Sequence, residues 1–155
     1  MRASEKRPSL PPRWFIRVAW VVHRAILRVT GRRRGLWKPG PGKWGTLELQ
    51  SVGRRSGRTR VAILGYYEDG PNMVTLAMNG WGAPEPAWWL NLRARPDATV
   101  VLADGSRLPV RAHAASGPER ERLWARWGEF GDNYEGYAAL RPGETAVVVL
   151  EPTDG

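Results

Sequence analysis

Residues 46–67 read TLELQSV-GRRSGRT-RVAILGYY, and the fold turns on how this stretch is read. From Thr46 to Val52 the apolar Leu47 and Leu49 alternate with Glu48 and Gln50, a period of two that predicts a half-exposed strand. From Arg60 to Tyr67 the residues are mostly apolar, which predicts a central strand. Between them, Gly53 to Arg60 holds Arg54, Arg55, Arg58 and Arg60 together with Gly53 and Gly57. Glycine lets the backbone turn tightly and bare its N–H groups. Arginine offers forked donors that match phosphate or carboxylate oxygens in pairs. A strand, a basic turn and a second strand make an antiparallel pair with an anion site at its tip. A solvated hairpin tip would have the same composition, so the choice rests on the remainder of the chain.

Toward the C-terminus, Asp69-Gly70 turns the chain into a third strand, Asn72 to Ala77. The segment NGWGAPEPAWWLNLRARP, residues 79–96, begins as a glycine-proline loop from Asn79 to Glu85 that carries Trp81. Pro86 suits the first turn of a short helix through Arg93, with Trp88, Trp89 and Leu92 facing inward, and Pro96 stops it. Asp104-Gly105 joins strands at Ala98–Leu102 and Arg107–Ala114. Ser116 with Glu119 reads as a capping box for a helix to about Trp127. Tyr134, Tyr137 and Leu140 suggest one more helical turn, and Thr145 to Glu151 a closing strand. Six strands on short hairpin links give an α+β, mainly β chain whose sheet is mostly antiparallel and closes as a small barrel with flanking helices.

Toward the N-terminus, residues 35–45 (GLWKPGPGKWG) form a Gly/Pro linker that cannot be helical. Residues 12–29 read PRWFIRVAWVVHRAILRV. At 3.6 residues per turn, Arg13, Arg17, Arg24 and Arg28 line a narrow stripe opposite a broad apolar face. Arg17 and Arg24 leave the apolar run short of the ~20 residues that a membrane span needs, and no signal-peptide pattern fits. This amphipathic helix either packs on the domain or lies in the headgroups of an anionic membrane. Arg32, Arg33 and Arg34 extend its charge, so residues 12–34 are the candidate membrane-facing segment. The expected division is residues 1–45 as tail, helix and linker, and residues 46–155 as the barrel domain. The expected place is the cytoplasm, or the inner face of the plasma membrane.

The chain has 155 residues and no cysteine, so thiolate metal sites, disulfides and thiol nucleophiles are excluded. With only His23 and His113, a His-based triad or metal cluster is not expected. The net charge of +9 is unevenly placed: residues 1–60 carry 16 Lys or Arg against two acids, and residues 61–155 carry 8 against 13. That asymmetry points to an anionic partner for the first part of the chain. The basic turn is neither a Walker loop nor a G-x-G-x-x-G opening a helix. No recognition helix or stacking strand accompanies the charge, which argues against nucleic acid. Tyr134 and Tyr137, three apart, present both phenols on one side of a helical turn, as core packing or as a substrate-facing pair. Chemistry therefore falls to a bound organic cofactor, with no metal.

G-R-R-S-G-x-x-R, a third strand ending in A-M-N-G, then P-A-W-W-L-N-L-x-x-x-P and a closing VVLEP together resemble the deazaflavin-dependent nitroreductase family, from about Leu47 to Pro152. The resemblance implies a split β-barrel that uses reduced coenzyme F-420, an 8-hydroxy-5-deazaflavin with a phosphate and polyglutamate tail. It assigns Gly53, Arg54, Arg55, Ser56 and Arg60 to the phosphate and tail, and Val61, Ala62, Ile63 and Leu64 to the strand along the cofactor. Ala77, Met78 and Asn79 fall beside the ring, and Trp88 and Asn91 match the W-x-x-N of the helix that closes its pocket. Trp81, Tyr134 and Tyr137 fall on the substrate side. The family pattern has a proline where Ile63 stands and a tyrosine where Gly65 stands. Its nitroimidazole-reducing member has a lysine at Asn79 and a glycine at Trp81. These departures surround the ring and substrate pocket, so cofactor binding carries over further than substrate choice.

The residues suit such a cofactor on physical grounds as well. A polyanion needs a cationic cradle, and a planar ring needs an apolar slot, which Met78, Trp81 and Trp88 can line. The expected activity is hydride transfer to an electron-poor organic acceptor such as a quinone or nitro compound. Alternatives are a non-catalytic deazaflavin- or lipid-binding barrel, or an FMN-dependent relative.

Overall fold

The computed structural model describes residues 36–78, 85–130 and 144–154. The helix expected over 12–29, the loop residues Asn79 and Trp81, and the turn carrying Tyr134, Tyr137 and Leu140 lie outside the described residues.

Strand β1 (Gly45–Val52) and strand β2 (Thr59–Asp69) pair antiparallel from Gly45 opposite Tyr66 to Val52 opposite Thr59. The basic turn is thus the tip of a long hairpin. Strand β3 (Asn72–Leu76) follows the Asp69-Gly70 turn, and β4 (Asp97–Val101) and β5 (Arg107–Ala114) form a second hairpin. Strand β6 (Val147–Pro152) inserts between β3 and β5. Pairing of β4 with β1 closes the barrel in the order β1-β2-β3-β6-β5-β4, with every pair antiparallel.

Period-two alternation fills the interior. Leu47, Leu49, Leu64, Tyr66, Met73, Val100, Val110, Ala112, Val148 and Leu150 form one buried cluster, and each strand contributes alternate residues to it. Helix α1 (Ala87–Ala94) adds Trp88, Trp89 and Leu92 to that same cluster, and it packs against β1 and β2. Burial raises the Tyr66 hydroxyl to about 12, with Glu68 and Asp104 adding to the effect. On the outer face, Tyr67, Val74, Leu76, Val147 and Val149 meet Leu123 and Trp127 of helix α2 (Gly117–Gly128).

Two local expectations are corrected. Strand β1 is buried on both faces: Glu48 is 2% exposed, as buried as the leucines beside it. The linker explains part of this, because Leu36 packs on Ile63, the residue opposite Glu48. The Trp37 N–H donates to Thr46 Oγ1 at 3.2 Å, while the Thr46 N–H donates to the Trp37 carbonyl at 2.9 Å. A Cβ on Gly65 would lie 3.1 Å from the Trp44 ring, so the bare glycine lets that ring close on the sheet. Glu48 keeps a hydrogen bond from Gln50 Nε2 at 2.9 Å, which a buried carboxylate requires. The second correction concerns α2, where the capping box does not form. Ser116 stands at the N-cap without a side-chain bond. Glu119 instead meets His113 Nε2 on β5 at 2.9 Å, so the reciprocal half of the box is diverted into a tertiary contact.

Candidate functional site

The turn between β1 and β2 is held shut by its own backbone. The Gly53 N–H donates to the Arg58 carbonyl at 2.8 Å, and the Gly57 N–H to the Gly53 carbonyl at 2.8 Å. Gly57 has φ of 70°, where side-chain-bearing residues are strained. A Cβ on Gly53 would come within 2.8 Å of Ser56 Oγ and 3.2 Å of the Arg58 carbonyl, so only glycine permits this closure. Ser56 Oγ accepts from the Arg58 N–H at 3.2 Å and from Arg60 Nη2 at 3.4 Å. Its own proton stays free to donate.

Arg54, Arg55, Ser56, Arg58 and Arg60 are all exposed. Arg93, Arg111, Arg120, Arg122 and Arg126 elsewhere in the barrel each meet a carboxylate. None of the turn's four arginines does so among the described residues. Like charges gathered without counter-charge repel one another at a cost in stability. An arrangement that concentrates them on a glycine-tightened loop is suited to an anionic ligand. Arg58 belongs with this set. It falls on an unspecified position of the G-R-R-S-G-x-x-R pattern, but the charge density of the stretch already marked it.

Asn91 lies 37 residues away in sequence and joins the turn in space. It is 4% exposed on α1, and its Oδ1 accepts from the Arg54 N–H and from Arg54 Nη1, each at 3.1 Å. Trp88, one helical turn earlier, is buried in the interior cluster with Leu64 and Ala77, and Ala62 packs against that cluster. The run Val61–Leu64 therefore divides. Ala62 and Leu64 face the interior and Trp88, whereas Ile63 faces out onto Leu36 and Val61 is 52% exposed. Met78 packs on the outer cluster with Trp44. The structure thus brings together the basic turn, Asn91 and the apolar barrel end that holds Trp88, Ala77 and Leu64. It sets Ile63 and Met78 on the opposite face of the sheet.

These residues fit coenzyme F-420. The exposed, uncompensated guanidinium groups and the Ser56 hydroxyl match a phosphate and a carboxylate-rich tail. The apolar cluster beside the turn, which includes Trp88, Ala77 and Leu64, has the chemistry to pack against a flat ring.

Comparison with known proteins gives the family and its cofactor. A family model described as F420H(2)-dependent quinone reductase matches residues 41–152. A putative F420H(2)-dependent quinone reductase of Mycobacterium tuberculosis is 34% identical over 118 residues, covering 76% of this chain and 95% of its own. An F420H(2)-dependent quinone reductase of the same organism is 31% identical over 147 residues, covering 89% and 95%. A solved F420-H2 dependent reductase superposes with a TM-score of 0.61 at 26% identity, over 68% of this chain and 93% of its own. The chain belongs to the F420H(2)-dependent quinone reductase family.

Proposed function

We propose that this chain is an oxidoreductase that moves hydride from reduced coenzyme F-420 to a quinone. The observation that carries the reading is the basic turn, with four arginines on a closed loop and no carboxylate paired to them among the described residues. Arg55, Arg58 and Arg60, with the Ser56 hydroxyl, hold the phosphate and tail. Trp88, Ala77 and Leu64 supply an apolar wall that keeps water from the ring. When bound, the deazaflavin supplies the hydride. The protein's part is binding, orientation and exclusion of solvent, which calls for no acid–base constellation. Asn79, Trp81, Tyr134 and Tyr137 are assigned to the ring edge and the acceptor side by family resemblance.

The test follows the absorbance of reduced cofactor in the presence of a soluble quinone analogue. Oxidation that needs both protein and quinone is expected. Tight binding with no oxidation would overturn the catalytic reading. Titration with oxidised cofactor should show that Arg55→Ala and Arg60→Ala each lose about 1.5–3 kcal/mol of binding, as for a charge-assisted contact. Unchanged affinity in both would remove the turn from the site.

Residues 12–34 act, in this reading, as a peripheral attachment to the anionic cytoplasmic face of the membrane, where a lipid-soluble quinone is met. The sequence supports this through its arginine stripe and broad apolar face. No helix among the described residues is long and apolar enough to cross a membrane.

A further inference from the structure

We infer that Asn91 is a positioning residue that sets the basic turn through Arg54, instead of contacting the cofactor itself. The inference rests on the cofactor reading above. Both hydrogen bonds made by Asn91 Oδ1 end on Arg54, one on the backbone N–H and one on Nη1, at 3.1 Å each. An amide oxygen has two lone pairs, and both are committed. Asn91 is 4% exposed, so water does not compete for them. The backbone bond fixes the first residue after Gly53, from which the chain direction through Arg55 and Ser56 follows. The side-chain bond draws Arg54 toward the barrel and away from its neighbours.

The consequence is a division of labour among the four arginines. Arg54 serves as a tether, and Arg55, Arg58 and Arg60 remain to meet the anion. Asn91 also sits three residues after Trp88 on the eight-residue helix α1. One short rigid element therefore sets both the apolar wall and the cationic turn, and it holds the two at a constant separation. A cofactor with its ring at one end and its phosphate at the other would be measured against that separation.

The test uses two probes, coenzyme F-420 and 8-hydroxy-5-deazariboflavin, which has the same ring and sugar-alcohol chain without phosphate or tail. Dissociation constants are measured by tryptophan fluorescence at several salt concentrations for wild type, Asn91→Leu, Arg54→Ala and Arg55→Ala, with the Tm of each recorded. Asn91→Leu is near in volume and removes the Oδ1 acceptor together with the two Nδ2 donors. It is expected to weaken coenzyme F-420 by tenfold or more, to change the phosphate-free probe by less than twofold, and to flatten the salt dependence as Arg55→Ala does. Arg54→Ala, a surface change that keeps the backbone limb of the tether, should give a smaller loss of the same kind. Equal losses for both probes, or a salt dependence unchanged in Asn91→Leu, would show direct contact with the ring and overturn the inference. So would wild-type affinity in Asn91→Leu and Arg54→Ala while Arg55→Ala is weakened, an outcome that leaves the cofactor reading intact. If Asn91→Leu and Arg55→Ala both bind coenzyme F-420 as wild type does, the turn does not hold the anion and the inference falls; if wild type does not bind it at all, both readings fall.

Discussion

Ser51 buries its hydroxyl two residues before the basic turn. It is 2% exposed, and its Oγ has no hydrogen-bond partner among the described residues. A buried hydroxyl left unpaired loses its water without recovering the bond, which costs about 1–3 kcal/mol. Ser51→Ala is therefore expected to leave stability unchanged or raise it by up to about 1 kcal/mol, read as the midpoint of urea unfolding. A clear loss of stability would mean that the hydroxyl is satisfied. The two glycines of the turn separate strain from contact. Gly57→Ala meets open space but must keep φ near 70°, so it should cost about 1 kcal/mol of stability or somewhat more. Gly53→Ala forces Ser56 Oγ and the Arg58 carbonyl apart. It should lower cofactor affinity along with stability, whereas Gly57→Ala should affect stability more than affinity.

Helix α2 is fastened to the β2–β3 end of the barrel by polar contacts around an aromatic centre. The Tyr67 hydroxyl donates to the Leu123 carbonyl at 2.7 Å, and its ring meets Trp127 edge-on with centroids 5.0 Å apart. Arg126 lies over the same ring at 4.5 Å. Burial pushes the Tyr67 hydroxyl well above its usual range, although Arg126 opposes the shift. Tyr67→Phe keeps the rings and removes one buried bond, so a loss of about 1 kcal/mol is expected on thermal unfolding. Arg122 grips Asp69 through both nitrogens, at 2.9 and 3.1 Å. That hydrogen bond holds the Asp69 carboxyl below its ordinary range against the opposing effect of burial. A depressed carboxylate contributes stability above its unfolded value of ~3.9 and loses it as pH falls through the folded value. Wild type should therefore lose more stability than Asp69→Asn between pH 5 and pH 2. The difference should stay under about 1 kcal/mol, because Arg122 is more than half exposed. Elements of this kind were legible where one periodicity ran without interference. The six strands, and the helix opened by Pro86, follow from alternation and proline placement. Burial of Glu48 was not legible, because the linker that helps to cover its face has no periodicity and reaches β1 through backbone bonds at Trp37 and Thr46. The failed cap at Ser116 was likewise hidden, since His113 competes for Glu119 only once β5 and α2 are side by side. The basic turn announced itself through composition, but its link to Asn91 spans 37 residues and needs the closed barrel.

At the scale of the whole molecule, the charge is divided between a barrel whose arginines are largely matched and a turn and N-terminal segment whose arginines are in excess. Residues 61–155 carry more acids than bases, and the barrel's ion pairs at Asp69, Glu85, Asp97 and Glu144 account for much of that balance. In the proposed reading, the excess positive charge of residues 1–60 acts on two anions of different kinds. One is a multivalent cofactor at a fixed turn, and the other is a lipid surface met by residues 12–34. Both interactions should weaken with salt, but to different degrees. Charges facing a membrane across solvent are screened within a Debye length, about 10 Å at 0.1 M. Guanidinium groups in direct hydrogen-bond contact with phosphate keep part of their strength. Raising salt from about 0.05 to 0.5 M should therefore release the full chain from vesicles containing phosphatidylserine while cofactor binding survives in weakened form. The check is co-sedimentation with anionic and with neutral vesicles across that range, with cofactor affinity titrated in the same buffers. Equal binding to neutral vesicles would remove the electrostatic attachment. If the cofactor were lost at the same salt as the vesicles, its hold would be diffuse attraction and not contact at the turn.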